Sequence, residues 1–142
     1  MRPFNLVVVF SADGQQTLFC KRRKDPFAGK LNFVGGQQES GESEVEAAYR
    51  ELAEETGITA AEITLTEVMR LAYPYYDMDM LVFAGQLTCD IDLVAESNEL
   101  IWLPLGQNYT DETRFAGFGN IGHILRIIQQ DETHYLRKGN RR

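Results

Sequence analysis

Two hydrophobic periods alternate along this chain. Phe4 to Phe10 is an almost unbroken apolar run rich in valine and phenylalanine, the mark of a buried strand. Asp13-Gly14 is a hairpin turn signal, and Thr17 to Lys21 reads as the returning strand. Pro26 and Gly29 make 25–30 a loop, and Leu31 to Val34 is a short strand running into Gly35-Gly36. The period then changes. Val45, Ala48, Tyr49, Leu52 and Thr56 recur at steps of three and four, which predicts a helix over 44–56. Ser43 suits its N-cap, and Glu46 three residues on completes a capping box. Gly57 suits the left-handed residue that closes a helix, with Ile58 folding back on the last turn. Strands are expected again at 63–71 and 78–88, separated by the Tyr73-Pro74-Tyr75-Tyr76-Asp77 break, and at 100–102 before Leu103-Pro104-Leu105. Ile121, Ile124, Leu125 and Ile128 predict a C-terminal amphipathic helix over 121–130. Periodicity therefore gives a mixed α and β domain with the first helix packed on a sheet.

Composition narrows the class. A chain of 142 residues buries one real core, so residues 1–142 are expected to form a single domain, with the basic tail 137–142 frayed. A net charge of −7 argues against duplex nucleic acid, which wants a basic face, and leaves a nucleotide substrate open. The apolar run from Leu6 to Phe10 is too short for a signal-peptide core or a membrane span, so no membrane partner is expected. Cys20 and Cys89 are far apart, each in an apolar stretch. They read as buried free thiols of a cytoplasmic protein, without a disulfide or zinc site. A homodimer stays open.

The acidic residues of the first helix are not scattered. At roughly 100° per residue, Val45, Tyr49, Leu52 and Thr56 share the core arc, and Glu51, Glu54 and Glu55 share the arc beside it. Like charges at these spacings repel. A solvated surface helix intersperses lysines, and this one carries only Arg50. Clustered carboxylate oxygens are what a hard cation such as Mg²⁺ requires. The other cluster, Lys21-Arg22-Arg23-Lys24, is basic in an acidic protein. It is either a solvated strand end or a contact for substrate phosphates, with Arg23 as the candidate whose planar fork binds two oxygens at once.

The stretch from Gly36 to Ile58 resembles the Nudix hydrolase signature, G-x5-E-x7-R-E-U-x-E-E-x-G-U with U a bulky aliphatic residue. Gly36, Glu42, Arg50, Glu51, Leu52, Glu54, Glu55, Gly57 and Ile58 fill every fixed position. The resemblance implies the Nudix fold, an α/β (α+β) arrangement with a curved mixed sheet sandwiched between helices. It also implies Mg²⁺-dependent hydrolysis of a phosphoric anhydride, with Mn²⁺ able to substitute. It gives Glu54 and Glu55 as principal metal ligands, Glu51 as ligand or base, and the Gly35 carbonyl as a further ligand. Arg50 then orients a carboxylate, and Glu42 supports the network from behind the ligands. A glutamate shortly before a tryptophan-bearing strand supplies another ligand or base in the family; spacing to Trp102 favours Glu99, with Glu96 second.

Outside the signature the resemblance is weaker. Lys30 to Gly36 is similar to the corresponding run of mutator-type nucleoside triphosphate pyrophosphohydrolases, which implies Asn32, beside Phe33, as a purine contact. Asn120 either touches a base or caps the last helix. Within Tyr73-Pro74-Tyr75-Tyr76, the proline resembles ADP-ribose pyrophosphatases and the tyrosine dinucleoside polyphosphate hydrolases, so the two marks collide. Three functions remain. The first is a pyrophosphohydrolase of a nucleoside triphosphate, an oxidised purine one included, releasing the monophosphate and pyrophosphate. The second is a hydrolase of ADP-ribose, a dinucleoside polyphosphate or a sugar nucleotide. The third is a non-catalytic ligand-binding module, which the intact glutamates and the lack of an appended DNA-binding domain disfavour.

Overall fold

The structure is a computed structural model that describes residues 1–136 except Pro26 and Phe118, and leaves the side chain of Thr133 undescribed. The basic tail 137–142 lies outside the described residues. Six strands form one mixed sheet: β1 (Arg2–Phe10), β2 (Gln16–Lys21), β3 (Leu31–Asn32), β4 (Thr66–Tyr73), β5 (Met78–Gln86) and β6 (Leu100–Pro104). Their order is β3-β2-β1-β5-β4, with β6 pairing β2. Only β1 and β5 run parallel, in register from Arg2 opposite Met78 to Phe10 opposite Gln86; the other pairs are antiparallel.

The sheet has helices on both faces because β1 and β5 are apolar on both faces. Strand side chains alternate sides. Leu6, Val8 and Phe10 join Met80, Val82 and Ala84 beneath α2 (Asn120–Gln130), which contributes Ile121, Ile124, Leu125 and Ile128. Val7 and Val9 join Leu81 and Phe83 beneath α1 (Glu44–Thr56), which contributes Ala48 and Leu52. Fully burying a leucine such as Leu52 is worth roughly 2 kcal/mol. A four-residue α3 (Glu132–Tyr135) follows α2. The fold is the mixed α+β sandwich expected from the sequence.

The helix bounds of α1 match the sequence, capping box included: Ser43 accepts from Glu46 N–H, Glu46 accepts from Ser43 N–H, and Gly57 closes at φ 81. Its rotation does not. Val45, expected in the core, is 40% exposed, and Ala47 is buried instead. Small residues at 47 and 48 let the helix lie close to the sheet, which turns the 47-51-55 line inward. Glu51 and Glu55 therefore sit at the margin of the core, and Glu54 faces water.

Other bounds moved for local reasons. Strand β4 begins at Thr66, not Ile63, although Ile63 and Leu65 are buried; the Leu65 N–H is taken by the Tyr49 hydroxyl at 2.9 Å, outside the sheet ladder. Strand β3 stops at Asn32, while Val34 continues as an isolated bridge to Val7. Strand β5 ends at Gln86, so Cys89 lies beyond it and is exposed, contrary to the expected buried thiol; Cys20 is buried and free. Among the described residues no helix is long and apolar enough to cross a membrane.

Candidate active site

The loop between β3 and α1 is tied across the end of β1. Val7 N–H donates to Val34 O at 2.8 Å, Asn5 N–H to Gly36 O at 2.9 Å, and Gln38 N–H to Pro3 O at 2.9 Å. Two glycines make this approach feasible. Gly35 has φ +149°, and a Cβ there would lie 2.1 Å from the Asn5 carbonyl oxygen. A Cβ on Gly36 would lie 2.5 Å from the Glu51 carboxylate. The glycine pair thus lets the loop backbone touch β1 on one side and the α1 carboxylates on the other.

Arg50 organises those carboxylates. It grips Glu42 with both edges of its fork, Nε to Oε2 at 2.6 Å and Nη2 to Oε1 at 3.0 Å. Nη1 donates to Glu51 at 2.9 Å and to Glu54 at 3.1 Å, and Nη2 also reaches the Gln37 carbonyl at 3.1 Å. The side chains are 22% exposed for Arg50, 16% for Glu42, 17% for Glu51 and 48% for Glu54. The Arg50 bond, then the Glu39 N–H, hold the Glu42 carboxyl below its usual range. Bonding to Glu42 raises the guanidinium further above its already high value.

Glu55 stands apart from that grip. Its Oε2 accepts the Gly35 N–H at 2.8 Å. Burial pushes its carboxyl up to about 7; the Gly35 bond opposes this, and the charges of Glu51, Glu96 and Glu54 add to it. Burial also raises Glu51, with Arg50 opposing and Glu54 and Glu96 reinforcing. Glu96 arrives because the loop after β5 docks on the end of α1. Val94 N–H donates to Thr56 O at 2.9 Å and Glu96 N–H to Glu55 O at 3.4 Å, satisfying helix-end carbonyls.

This loop bears on the two late glutamates, both of which are exposed. Glu99, favoured by its spacing to Trp102, is exposed beside the start of β6, where its carbonyl takes the Lys21 N–H at 2.9 Å. Glu96 is the one whose charge reaches Glu51 and Glu55.

Glu55, Gly35 and Gly36 line a cavity of about 310 Å³ between the sheet and α2. Asn32, Phe33 and Asn120 line the same cavity, so these three expected contacts are brought together with Glu55. Asn32 Oδ1 accepts the Phe33 N–H at 2.9 Å, and Phe33 stacks on Phe19 with ring centroids 5.1 Å apart. Asn120 does not cap α2. Gly119 holds the N-cap position without a side-chain bond, and Asn120 Nδ2 donates to the Tyr73 hydroxyl at 2.5 Å.

Arg23 points elsewhere. It is exposed and donates to the Ser97 carbonyl at 2.9 Å, whereas Arg22 lines the cavity. The strand period carried that distinction: Arg22 lies two residues beyond Cys20, which also lines the cavity. Asn5, Tyr73 and Asn98 are further polar lining residues that no signature position flagged.

The oxygen-only donor set suits a hard cation, and burial of Glu55 among like charges leaves a deficit of positive charge there. Among the described residues, no group of three or more carboxylates, thiols or imidazoles already converges on one point. Arg50 holds Glu51 and Glu54, and the Gly35 N–H holds Glu55. Each bond takes one oxygen of its carboxylate, so Glu51, Glu54, Glu55 and the Gly35 carbonyl still offer oxygens suited to a shared cation.

A family profile for the NUDIX domain matches residues 1–117, and the chain belongs to that family. It is similar to the 8-oxo-dGTP diphosphatase of Escherichia coli, 34% identical over 76 residues that span 52% of this chain and 59% of that relative. In fold it is similar to a C. elegans Ap4A hydrolase, with a TM-score of 0.74, 18% identity, and coverage of 95% of this chain and 100% of that one. It also resembles the NUDIX domain of Shewanella oneidensis NrtR, solved with ADP ribose, with a TM-score of 0.71, 17% identity, and coverage of 92% of this chain and 87% of that one.

Proposed function

We propose that the protein is a divalent-metal-dependent pyrophosphohydrolase that cleaves a nucleoside triphosphate, an oxidised purine one included, into the monophosphate and pyrophosphate. One observation carries this reading: Glu55 and the Gly35-Gly36 loop share a single cavity with Asn32 and Asn120. A phosphate chain lying toward Glu55 leaves its base among Phe33, Ile121, Ile124 and the two amides. The partial match to the Escherichia coli diphosphatase supports the same substrate class.

Glu51, Glu54, Glu55 and the Gly35 carbonyl would hold Mg²⁺, with Mn²⁺ as a substitute and Glu96 adding charge beside them. Bound there, the cation neutralises phosphate oxygens and lowers the pKa of a coordinated water. The chain's own residues do the rest. Glu51, half-buried beside Gly36, would serve as a further ligand or as the base that takes a proton from an attacking water. Arg50 keeps Glu51 and Glu54 oriented through its Nη1 bonds, while Glu42 holds the other edge of the fork. Arg22, at the cavity wall, meets phosphate oxygens. The apolar wall around Phe33 and Ile124 keeps bulk water from the base end.

The test is product release from a panel of nucleoside triphosphates, ADP-ribose and a dinucleoside tetraphosphate, with Mg²⁺ present. Pyrophosphate and monophosphate from one triphosphate, at the highest kcat/KM of the panel, is the expected result. Preferential cleavage of ADP-ribose or the dinucleotide overturns the choice of substrate.

A further inference from the structure

The cavity's hydrogen-bonding groups are partly spent, and what remains has a definite polarity. Asn120 Nδ2 is engaged by the Tyr73 hydroxyl. Among the described residues its Oδ1 takes no bond, so with Nδ2 anchored Asn120 holds a free acceptor next to the Tyr73 hydroxyl, with one Nδ2 hydrogen left over. The Tyr73 oxygen receives that bond, so its own proton is left to donate. Burial raises the Tyr73 phenol, which keeps that proton in place at neutral pH. Asn32, in the same lining, accepts the Phe33 N–H at Oδ1 and keeps its Nδ2 as a donor. Tyr73, Asn120 and Asn32 all line the cavity. A neighbouring acceptor and donor match a lactam edge, where a ring N–H sits beside a carbonyl, as in 6-oxopurines and 4-oxopyrimidines. An amidine edge, as in adenine or cytosine, presents the opposite order.

We propose that Tyr73 is a positioning residue for base selection: by holding Asn120 through its Nδ2, it commits the cavity to lactam-bearing bases over amidine-bearing ones. The inference rests on the reading of this cavity as a nucleotide site, and the tyrosine is its new element. Without the phenol, the Asn120 amide can turn over and offer either its oxygen or its nitrogen. Selectivity is then lost, even though Asn120 itself is unchanged. A tyrosine that only packs would leave selectivity untouched when replaced by phenylalanine.

The experiment measures calorimetric binding of GMP, AMP, UMP and CMP to the full chain, wild type and Tyr73→Phe, with Mg²⁺ present. Monophosphates carry no anhydride, so the readout does not depend on hydrolysis. Wild type should bind GMP over AMP, and UMP over CMP, by about tenfold, the size of one well-made hydrogen bond. In Tyr73→Phe both ratios should fall to within about twofold of one, mainly by weaker binding of GMP and UMP. Wild-type ratios near one overturn the inference, because no edge is then selected. A Tyr73→Phe protein that melts normally and keeps the wild-type ratios overturns it too. Lactam selectivity in a protein that hydrolyses no triphosphate upholds the inference and removes the triphosphatase reading. Triphosphate hydrolysis with unselective monophosphate binding does the reverse.

Discussion

Replacing Glu55 by Gln in metal-free protein removes one charge from a crowded, half-buried place and nearly keeps its shape. The Gly35 N–H still finds an acceptor in the amide oxygen. Glu55 titrates at about 7 against an ordinary 4.5, chiefly through burial and then through Glu51, Glu96 and Glu54. Below pH 4.5 the carboxyl is protonated in both folded and unfolded chains, so it costs nothing. As pH rises from 4.5 to 7, the unfolded chain ionises first and the folded state loses stability. Above 7 both are ionised and the loss is constant. A shift of that size corresponds to about 3 kcal/mol, and partial exposure reduces it to about 2 kcal/mol. In a chain of this size 1 kcal/mol moves the melting temperature by about 3 °C. Glu55→Gln in EDTA should therefore melt about 6 °C above the parent at pH 8 and level with it at pH 4.5. Thermal melts at the two pH values measure this directly. A Glu55→Gln protein that melts lower at pH 8, or shifts equally at both, refutes the picture of a desolvated like-charge site.

Three further outcomes follow from the contacts. Arg50→Met strips Glu42, Glu51 and Glu54 of their shared cation and should cost about 2 kcal/mol in EDTA, with Mg²⁺ recovering more stability than in the parent; an unchanged melt contradicts the clamp. Gly35→Ala forces a Cβ into the Asn5 carbonyl at positive φ and should cost at least about 2 kcal/mol, read as a lower denaturant midpoint; a neutral result shows that the loop is not pinned to β1. Asn32→Ala should raise KM for the preferred base and flatten the preference among bases while metal dependence stays; equal losses on purines and pyrimidines mark Asn32 as a turn residue.

Much of this was legible in the chain. The capping box, Gly57 and the helical period located α1 to the residue, because those signals are local. The apolar run of β1 announced a buried strand, and a further strand was expected where β5 lies. Rotation of α1 was not legible, since Val45 and Ala47 compete for the inner face and only the distance to the sheet decides. That rotation separates half-buried Glu55 from exposed Glu54, which the signature treats alike. Glu96 and Glu99 could not be separated by spacing to Trp102, because docking of residues 94–96 on the α1 end is a long-range event. Arg22 over Arg23 was within reach of the strand period. The Tyr73–Asn120 pair was not, since its partners stand 47 residues apart.

The central claim is that the α1 glutamates and the Gly35 loop form a metal-dependent hydrolytic centre. The most direct measurement is pyrophosphate release from the preferred triphosphate in excess EDTA, followed by titration with Mg²⁺ and separately with Mn²⁺. Release should be absent in EDTA, return at about millimolar Mg²⁺ or micromolar Mn²⁺, and fall by orders of magnitude in Glu55→Gln at any metal concentration. Full turnover in EDTA, or an undiminished rate in Glu55→Gln, contradicts the account.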